Sequence, residues 1–535
     1  MKNRFAIKIS GPAGAGMMQA GETLSKALNR LGFFSLMYPE YPSRIRGGDN
    51  HVQVVFSSRQ FLSPQEKVNL LLAFGLDNLL AHQDEVIEGG LNFEAGDIGL
   101  GGIADKLGNP LVANSAALGF LWAVLGFDLP VLKEQLAEDF AEKKTIKDLN
   151  LKAAVAGFEK AKDIWGMAKV KTKGIKGKIS NLSGNEALTQ GILAAECSFA
   201  AIYPMTPINS ILSMLAKTKV NLFRPEDEIA GINAAIGAAY AGGRAMVATS
   251  GGGFSLMVEA LGMAGAAEVP VVIVVGQRTG PSTGMATFSS QADLNFVINA
   301  GHGEFPRIVL TPGDLEESYR LGAEAFNLAE RYQVPVILLT DKYLAESCFS
   351  RLKEILDKVV VRIDRGKLFD GKGEYRRYAL TLDGISPRAF PGQTVFLTNS
   401  YEHDEYGFST DEVGIREEMM AKRGRKLIGL KGGVEKYGEE GAETTLVGWG
   451  STKEILLDFI TTHPDYNLVH FWRPWPFPKE AEEILRQAKK LIVVEGNFSG
   501  QLVDLIEKET GLRPKRVLKD NGRPFYKEEL ARLLK

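Results

Sequence analysis

Cysteine is nearly absent from this chain of 535 residues: Cys197 and Cys348 are the two present, far apart and outside any CxxC pattern. Iron–sulfur clusters take thiolate ligands, commonly four, so an all-cysteine cluster or zinc site within this chain alone is excluded, and the scarcity suits a reducing compartment. An excess of charge is missing too. Lys and Arg number 63 against 65 Asp and Glu, a formal net charge of −2, which argues against nucleic acid or an anionic membrane as the main partner. No long apolar run is unbroken. The most apolar stretch, residues 256–276, carries Glu259, Glu268 and Pro270 and reads as a buried helix leading into a strand, not a membrane span. The opening segment MKNRFAIKISGPAGAG has no apolar signal core, so the expectation is a cytoplasmic protein. Short-period repeats and low-complexity tracts are also lacking.

What the chain does have is length and rhythm. Its size suggests about three or four domains, and 45% hydrophobic residues suffice for proper cores. Apolar runs of strand length alternate with helical patterns almost throughout, which predicts an α/β protein built around largely parallel sheets. Three blocks follow. Residues 1–170 open with a strand at 5–9, a glycine-rich turn and a helix at about 16–31, and close with a helix at 151–168. Residues 171–184, dense in Lys and Gly without apolar periodicity, read as a linker. Residues 185–352 carry strands at 200–203, 245–249, 271–275 and 334–339. Residues 353–443, with scattered Gly, Pro and charge, read as an extended connection, and residues 444–535 resume the βα pattern from strands at 444–447 and 490–494.

Several turns are candidates for chemistry. Gly11-Pro12-Ala13-Gly14-Ala15-Gly16 lies between a strand and a helix, where backbone N–H groups can approach an anion. The spacing matches GxGxxG only in part, and a tight turn without a ligand explains it as well. Arg44 and Arg46, beside Gly47 and Gly48, suit carboxylates or phosphates, although a solvated loop is an equal reading. The centre is more specific. Tyr203-Pro204-Met205-Thr206-Pro207 fixes Thr206 at a strand end between two prolines. Glu226-Asp227-Glu228 heads a helix of small residues at 230–241, where an acid in the first turn is ordinarily a partner of the helix dipole. Thr249-Ser250-Gly251-Gly252-Gly253 ends a strand, and Gln277-Arg278 leaves the next one, with Thr287 and Gln291 beyond. Carboxyl ends of strands are where open α/β sheets bind ligands, so the convergence of three such ends predicts a pocket.

At these residues the chain resembles a known family. YPMTP, EDEIAGINAAIGAAYAGGRA, TSGGGFSLMVEALG and QRTGPSTGMATFSSQADL are together similar to the α-subunit signature of 2-oxoacid:ferredoxin oxidoreductases, in particular the 2-oxoglutarate branch. The first block resembles the γ-type domain that this branch fuses ahead of the α part. EHDEYG (residues 402–407), WPFP (475–478) and VVEGNFSGQL (493–502) match as well. Met205, Gly252 and Ala286 stand where the family commonly has isoleucine, proline and proline. The resemblance implies a multidomain α/β chain: a γ-type domain, a pyrimidine-type thiamine-diphosphate domain and a transketolase C-terminal-like domain. It implies that Glu228 hydrogen-bonds the aminopyrimidine of thiamine diphosphate, assisting proton loss from the thiazolium carbon. Tyr203, Pro204, Thr206, Thr249, Ser250 and Gly251 would line the cofactor. Arg278 would hold the carboxylate of a 2-oxoacid, with Thr206 and Thr287 orienting it and Arg44 and Arg46 reaching a distal carboxylate if the substrate is 2-oxoglutarate. Coenzyme A would take the acyl group and ferredoxin the electrons.

The GDG motif with which β subunits of that family hold diphosphate and magnesium is missing, as are clustered cysteines. The resemblance therefore implies a β partner carrying magnesium and the iron–sulfur cluster, in an (αβ)2 assembly, and assigns no metal ligand to this chain. Two rivals are weaker. A nucleotide-dependent dehydrogenase requires an acid at the end of the second strand, where Tyr38-Pro39-Glu40-Tyr41-Pro42 stands among loop residues. A non-catalytic scaffold paralogue would have lost polar site groups that are all present.

Overall fold

The computed structural model describes residues 4–43, 47–168, 170, 173–352 and 360–535. It holds two compact units. One comprises the described residues of Met1–Ser183, Glu346–Lys358 and Phe525–Lys535, the other those of Gly184–Ala345 and Val359–Pro524.

In the first unit a seven-stranded sheet runs in the order Val86–Glu94, Val68–Ala73, Arg4–Ala13, Gly47–Ser57, Phe34–Glu40, Cys348–Leu352 and Ile179–Ser183. The helix Met17–Arg30 follows Gly16, whose φ of 80° suits glycine. It buries Met17, Ala20, Leu24, Ala27 and Leu28, the i, i+3/i+4 stripe of an amphipathic helix. Gly21 lets this helix close on the sheet, since a Cβ there would come 2.6 Å from Val52 Cγ2. Three departures from expectation concern strands. Tyr38, Pro39 and Glu40, expected among loop residues, close the strand Phe34–Glu40, so an acid does end the second strand. Glu40 is there engaged by His51 and the Tyr38 hydroxyl. Ile179–Ser183 lies inside the segment expected to be a linker, and Cys348–Leu352 pairs antiparallel with it and with Phe34–Glu40. Ser350 Oγ anchors this pairing by accepting from Asn29 Nδ2 at 2.7 Å. The helix expected at 151–168 is Lys144–Lys160; it starts earlier, and Gly157 packs so closely on Ala116 that a Cβ would fall 1.9 Å from its carbonyl oxygen.

The second unit carries two sheets. The six-stranded one is parallel throughout, in the order Ile308–Leu310, Pro335–Asp341, Val271–Gln277, Ala245–Ser250, Phe199–Ile202 and Asn221–Phe223. Its central strands are buried on both faces, which is why they read as continuous Val/Ile runs. The five-stranded sheet runs Val434–Tyr437, Tyr466–Phe471, Thr444–Trp449, Leu491–Glu495 and Lys515–Leu518, with its first pair antiparallel. One apolar cluster contains Val247, Ile273 and Ile337 together with Val447, Trp449 and Val493. No helix among the described residues is long and apolar enough to cross a membrane.

The segment 353–443, expected as a connection, holds the helix Val413–Arg425 and the strand Val434–Tyr437. A buried charge cluster fastens that helix. Glu268 is fully buried and meets Lys422 Nζ and Lys426 Nζ, each at 2.7 Å. Burial alone would raise the Glu268 carboxyl, but Lys426, Lys422 and Arg377 hold it far below the usual range. Burial in turn pushes Lys426 down to about 7, with Glu268 opposing. Removing one partner of such a cluster strands the others, at a cost of about 3–5 kcal/mol. The expected result for Glu268→Ala is a loss of that order in denaturant unfolding, whereas a change under about 1 kcal/mol would mean that water reaches the two ammonium groups.

Candidate active site

The chain passes from the strand Phe199–Ile202 to its neighbour Asn221–Phe223 on one side, then to Ala245–Ser250 on the other. In open parallel sheets such a reversal is where a crevice forms at the carboxyl ends of the strands. Around it stand Thr206, the helix beginning at Glu228, the glycines after Ser250, and Arg278 after Gln277.

The three acids before the small-residue helix divide their roles. Glu226 is exposed. Asp227 is the N-cap, its carboxylate accepting from Ala230 N–H at 2.8 Å. Glu228, the first helical residue, is 5% exposed, and its Oε1 is buried without a hydrogen-bond partner among the described residues. The cap is already supplied by its neighbour, so the helix needs nothing further from Glu228. A buried carboxylate oxygen left in this way is costly unless a ligand donates to it. Gly253 keeps room beside it: a Cβ there would lie 2.5 Å from Glu228 Oε1 and 2.0 Å from Thr249 Oγ1. Both observations fit a carboxylate awaiting a donor from a flat heterocycle, as the resemblance to thiamine-diphosphate enzymes implies.

On the other side of the crevice, Arg278 Nη1 donates to the Thr206 carbonyl at 3.2 Å. The structure thus brings together two residues that lie 72 positions apart. The remaining N–H groups of Arg278 make no hydrogen bond among the described residues, leaving the guanidinium donors for an anion. Thr287 is 5% exposed in the loop that follows. That loop closes at its neck, where Thr279 N–H donates to the Phe288 carbonyl at 3.1 Å and Thr279 Oγ1 to the Ser289 carbonyl at 3.0 Å. Thr249 and Ser250 are fully buried and face the sulfur of Met205, with Thr249 Oγ1 at 3.9 Å from Sδ. Thioether sulfur is a weak acceptor, so these hydroxyls are held but not strongly committed. Tyr203 is 39% exposed at the rim. Arg44 and Arg46 lie outside the described residues.

Sequence reasoning passed over Asp293, though it stands within the QADL that carried part of the resemblance. A Cβ on Gly251 would lie 2.5 Å from Asp293 Oδ2, so the acid reaches the glycine turn. Burial raises the Asp293 carboxyl to about 6, Arg278 opposing in part, and burial lowers Arg278, Asp293 opposing. Its backbone N–H donates to Gln277 Oε1 at 3.0 Å, which fixes its place. A carboxyl raised above its unfolded value holds its proton longer in the folded state, so folding loses stability as pH rises from about 4 to about 6. Asp293→Asn is therefore expected to melt above the unchanged protein at pH 7.5, with the gap closing as pH falls through 6 towards 4. A gap that is absent or independent of pH would mean that Asp293 is solvated. Gln291 has a different task. Its side chain donates to the Trp449 carbonyl at 2.7 Å and accepts from Gly496 N–H at 2.8 Å, tying the loop to the five-stranded sheet.

Comparison with known proteins gives a consistent picture. A family model described as pyruvate flavodoxin/ferredoxin oxidoreductase, thiamine diP-bdg, matches residues 190–422. A second, described as pyruvate ferredoxin/flavodoxin oxidoreductase, matches residues 6–160. The α subunit of 2-oxoacid:ferredoxin oxidoreductase 2 from Aeropyrum pernix is 33% identical over 99% of this chain and 97% of its own. The KorA subunit of 2-oxoglutarate synthase from Methanothermobacter marburgensis is 31% identical over 65% of this chain and 96% of its own. Among solved structures, the 2-oxoglutarate:ferredoxin oxidoreductase from Magnetococcus marinus, with 2-oxoglutarate, coenzyme A and succinyl-CoA bound, superposes with a TM-score of 0.90. It is 31% identical, covering 100% of this chain and 99% of that one.

Proposed function

Because this chain belongs to the α-subunit family of 2-oxoacid:ferredoxin oxidoreductases, we propose that it forms the pyrimidine half of a thiamine-diphosphate site for the oxidative decarboxylation of a 2-oxoacid. The overall conversion joins the acyl group to coenzyme A, releases carbon dioxide and reduces ferredoxin, and 2-oxoglutarate is the favoured substrate. The single observation that carries the reading is the buried, unpartnered Oε1 of Glu228 at a strand-end crevice. Thiamine diphosphate, when bound, supplies the carbon nucleophile and the electron sink. Glu228 holds a proton shared with the aminopyrimidine, and Thr249, Ser250 and Gly251 offer a surface for the ring. Arg278 binds the substrate carboxylate through the N–H groups not engaged by Thr206. Thr206 and Thr287 fix its orientation, which is worth much of the barrier when reacting atoms are aligned. Asp293 keeps the Arg278 guanidinium in place by charge.

The preference for 2-oxoglutarate rests on the names of two relatives, the synthase subunit and the solved oxidoreductase. Arg44 and Arg46 are the candidates for its distal carboxylate. The rest of the site belongs to a β partner. Magnesium needs oxygen ligands and a cluster needs thiolates, and Cys197 is buried with its thiol pushed up to about 12 by burial, unlike a ready ligand. We place the complete enzyme in the cytoplasm as an (αβ)2 assembly. The purified chain alone is expected to bind thiamine diphosphate with magnesium more weakly than micromolar in calorimetry and to retain no iron, both appearing on addition of the β partner. Tight binding by the chain alone would move the diphosphate site onto it. Assaying the assembled complex on a panel of 2-oxoacids with coenzyme A and ferredoxin tests the function. Coenzyme-A-dependent ferredoxin reduction, highest on 2-oxoglutarate, is expected. No activity on any 2-oxoacid would defeat the reading.

A further inference from the structure

The first unit holds a second constellation, remote in sequence from the strand-end residues and assigned no metal ligand by the sequence. Asp49 and His51 stand on the strand Gly47–Ser57, and His82 ends the helix Leu76–His82. One ligand atom from each of the three lies within 4.8 Å of those of the other two. Asp49 Oδ2 is 3.1 Å from the His51 nitrogen and 2.7 Å from the His82 nitrogen. His51 and His82 are 6% and 3% exposed, and Asp49 has a third of its side chain open to solvent.

The surroundings of the two rings decide what this arrangement can do. His51 turns its other nitrogen, Nε2, to Glu40 Oε2 at 2.8 Å. His82 turns its other nitrogen, Nδ1, to Glu85 Oε1 at 3.0 Å. Lys8 Nζ is 3.4 Å from the same Nδ1, but its short contact is with the second oxygen of Glu85. Each ring therefore has a carboxylate oxygen at both nitrogens, Asp49 on the inner side and Glu40 or Glu85 on the outer. Asp49 Oδ2 is the hydrogen-bond partner of both inner nitrogens, and a bound ion would take the place of those inner protons while the outer nitrogens stay on Glu40 and Glu85. The far oxygen of Asp49 is held by the Ser10 hydroxyl at 2.5 Å. Asp49, Glu40 and Glu85 bring three carboxylates to the cluster against the one ammonium of Lys8, so a divalent cation that displaces the inner protons balances the charge.

We propose that Asp49, His51 and His82 bind a divalent first-row transition metal, zinc being the occupant to test. Two imidazoles and one carboxylate are a donor set that suits zinc, and ligating histidines characteristically give their second nitrogen to a carboxylate, as both do here. Tetrahedral bonds of about 2.0 Å place donor atoms about 3.3 Å apart. The Asp49–His51 and Asp49–His82 separations of 3.1 and 2.7 Å therefore need to open by about 0.2 and about 0.6 Å to admit the ion. Three protein ligands leave a fourth position, on the open side of Asp49, for water or an anion. The ion would pin the start of the strand Gly47–Ser57 to the end of the helix Leu76–His82.

The test uses the full chain, stripped with a chelator and titrated with Co2+ and then Zn2+. One equivalent of Co2+ is expected to bind at micromolar affinity or tighter, with visible ligand-field bands that Zn2+ abolishes, and Zn2+ should raise the melting temperature by mass action. His51→Gln and His82→Gln should each weaken binding at least tenfold. Glu40→Gln, which touches no metal, should weaken it by about 10–100-fold. A colourless wild-type titration with no retained metal would reduce the cluster to a hydrogen-bonded network and overturn the proposal. So would equal binding by folded His51→Gln and His82→Gln variants. Should a variant not fold, the wild-type cobalt spectrum and stoichiometry decide alone.

Discussion

Replacing Glu228 with glutamine in the assembled enzyme is expected to lower turnover by at least about a hundredfold, in line with the general acid–base contribution of a positioned side chain. Stability should not fall with it. Glu228 supplies no cap, since Asp227 accepts from Ala230 N–H, and its Oε1 has no partner among the described residues to lose. An amide in the same place removes a buried carboxylate and relieves its desolvation. The combination of lost turnover with an unchanged or raised melting temperature separates a catalytic group from a structural one. Turnover within about threefold of the unchanged enzyme, in a folded and assembled variant, would remove Glu228 from the reaction; that margin lies far below the usual acid–base contribution.

Arg278→Lys is expected to reduce kcat/KM for the 2-oxoacid by at least about thirtyfold, since losing one member of a hydrogen-bonded charge pair costs about 2–5 kcal/mol. Lysine keeps the charge beside Asp293 but not the planar fork that can hold the Thr206 carbonyl and a carboxylate together. Arg278→Ala goes further, leaving the Asp293 carboxyl without the cation that opposes its rise to about 6. The lysine variant should therefore keep its melting profile while losing substrate. If both variants keep their kinetics, the carboxylate is held elsewhere, with Arg44 and Arg46 the next candidates.

The strands of the six-stranded sheet were legible because burial on both faces writes itself as Val/Ile runs: 245–249 was expected and Ala245–Ser250 is found, 271–275 was expected and Val271–Gln277 is found. What periodicity does not carry is the partner of a strand. Ile179–Ser183 and Cys348–Leu352 are each five residues of mixed polarity, and their pairing with one another is fixed by contacts some 170 positions apart. The buried pairing of Glu268 with Lys422 and Lys426 was hidden for the same reason: each residue alone reads as solvated charge. At the crevice, the residue types at the strand ends carried the resemblance. Which of Glu226, Asp227 and Glu228 is buried depends on the pitch of one helix turn, and the place of Asp293 depends on a loop whose closure no local pattern announces.

The most direct measurement is the exchange of the thiazolium C2 proton of bound thiamine diphosphate for deuterium, followed in the assembled complex by quenched-flow NMR. It isolates the one step in which Glu228 acts, before substrate, coenzyme A or ferredoxin takes part. The account predicts rapid exchange in the unchanged enzyme and exchange at least about a hundredfold slower in Glu228→Gln with cofactor still bound. Equal exchange rates in the two enzymes would contradict it.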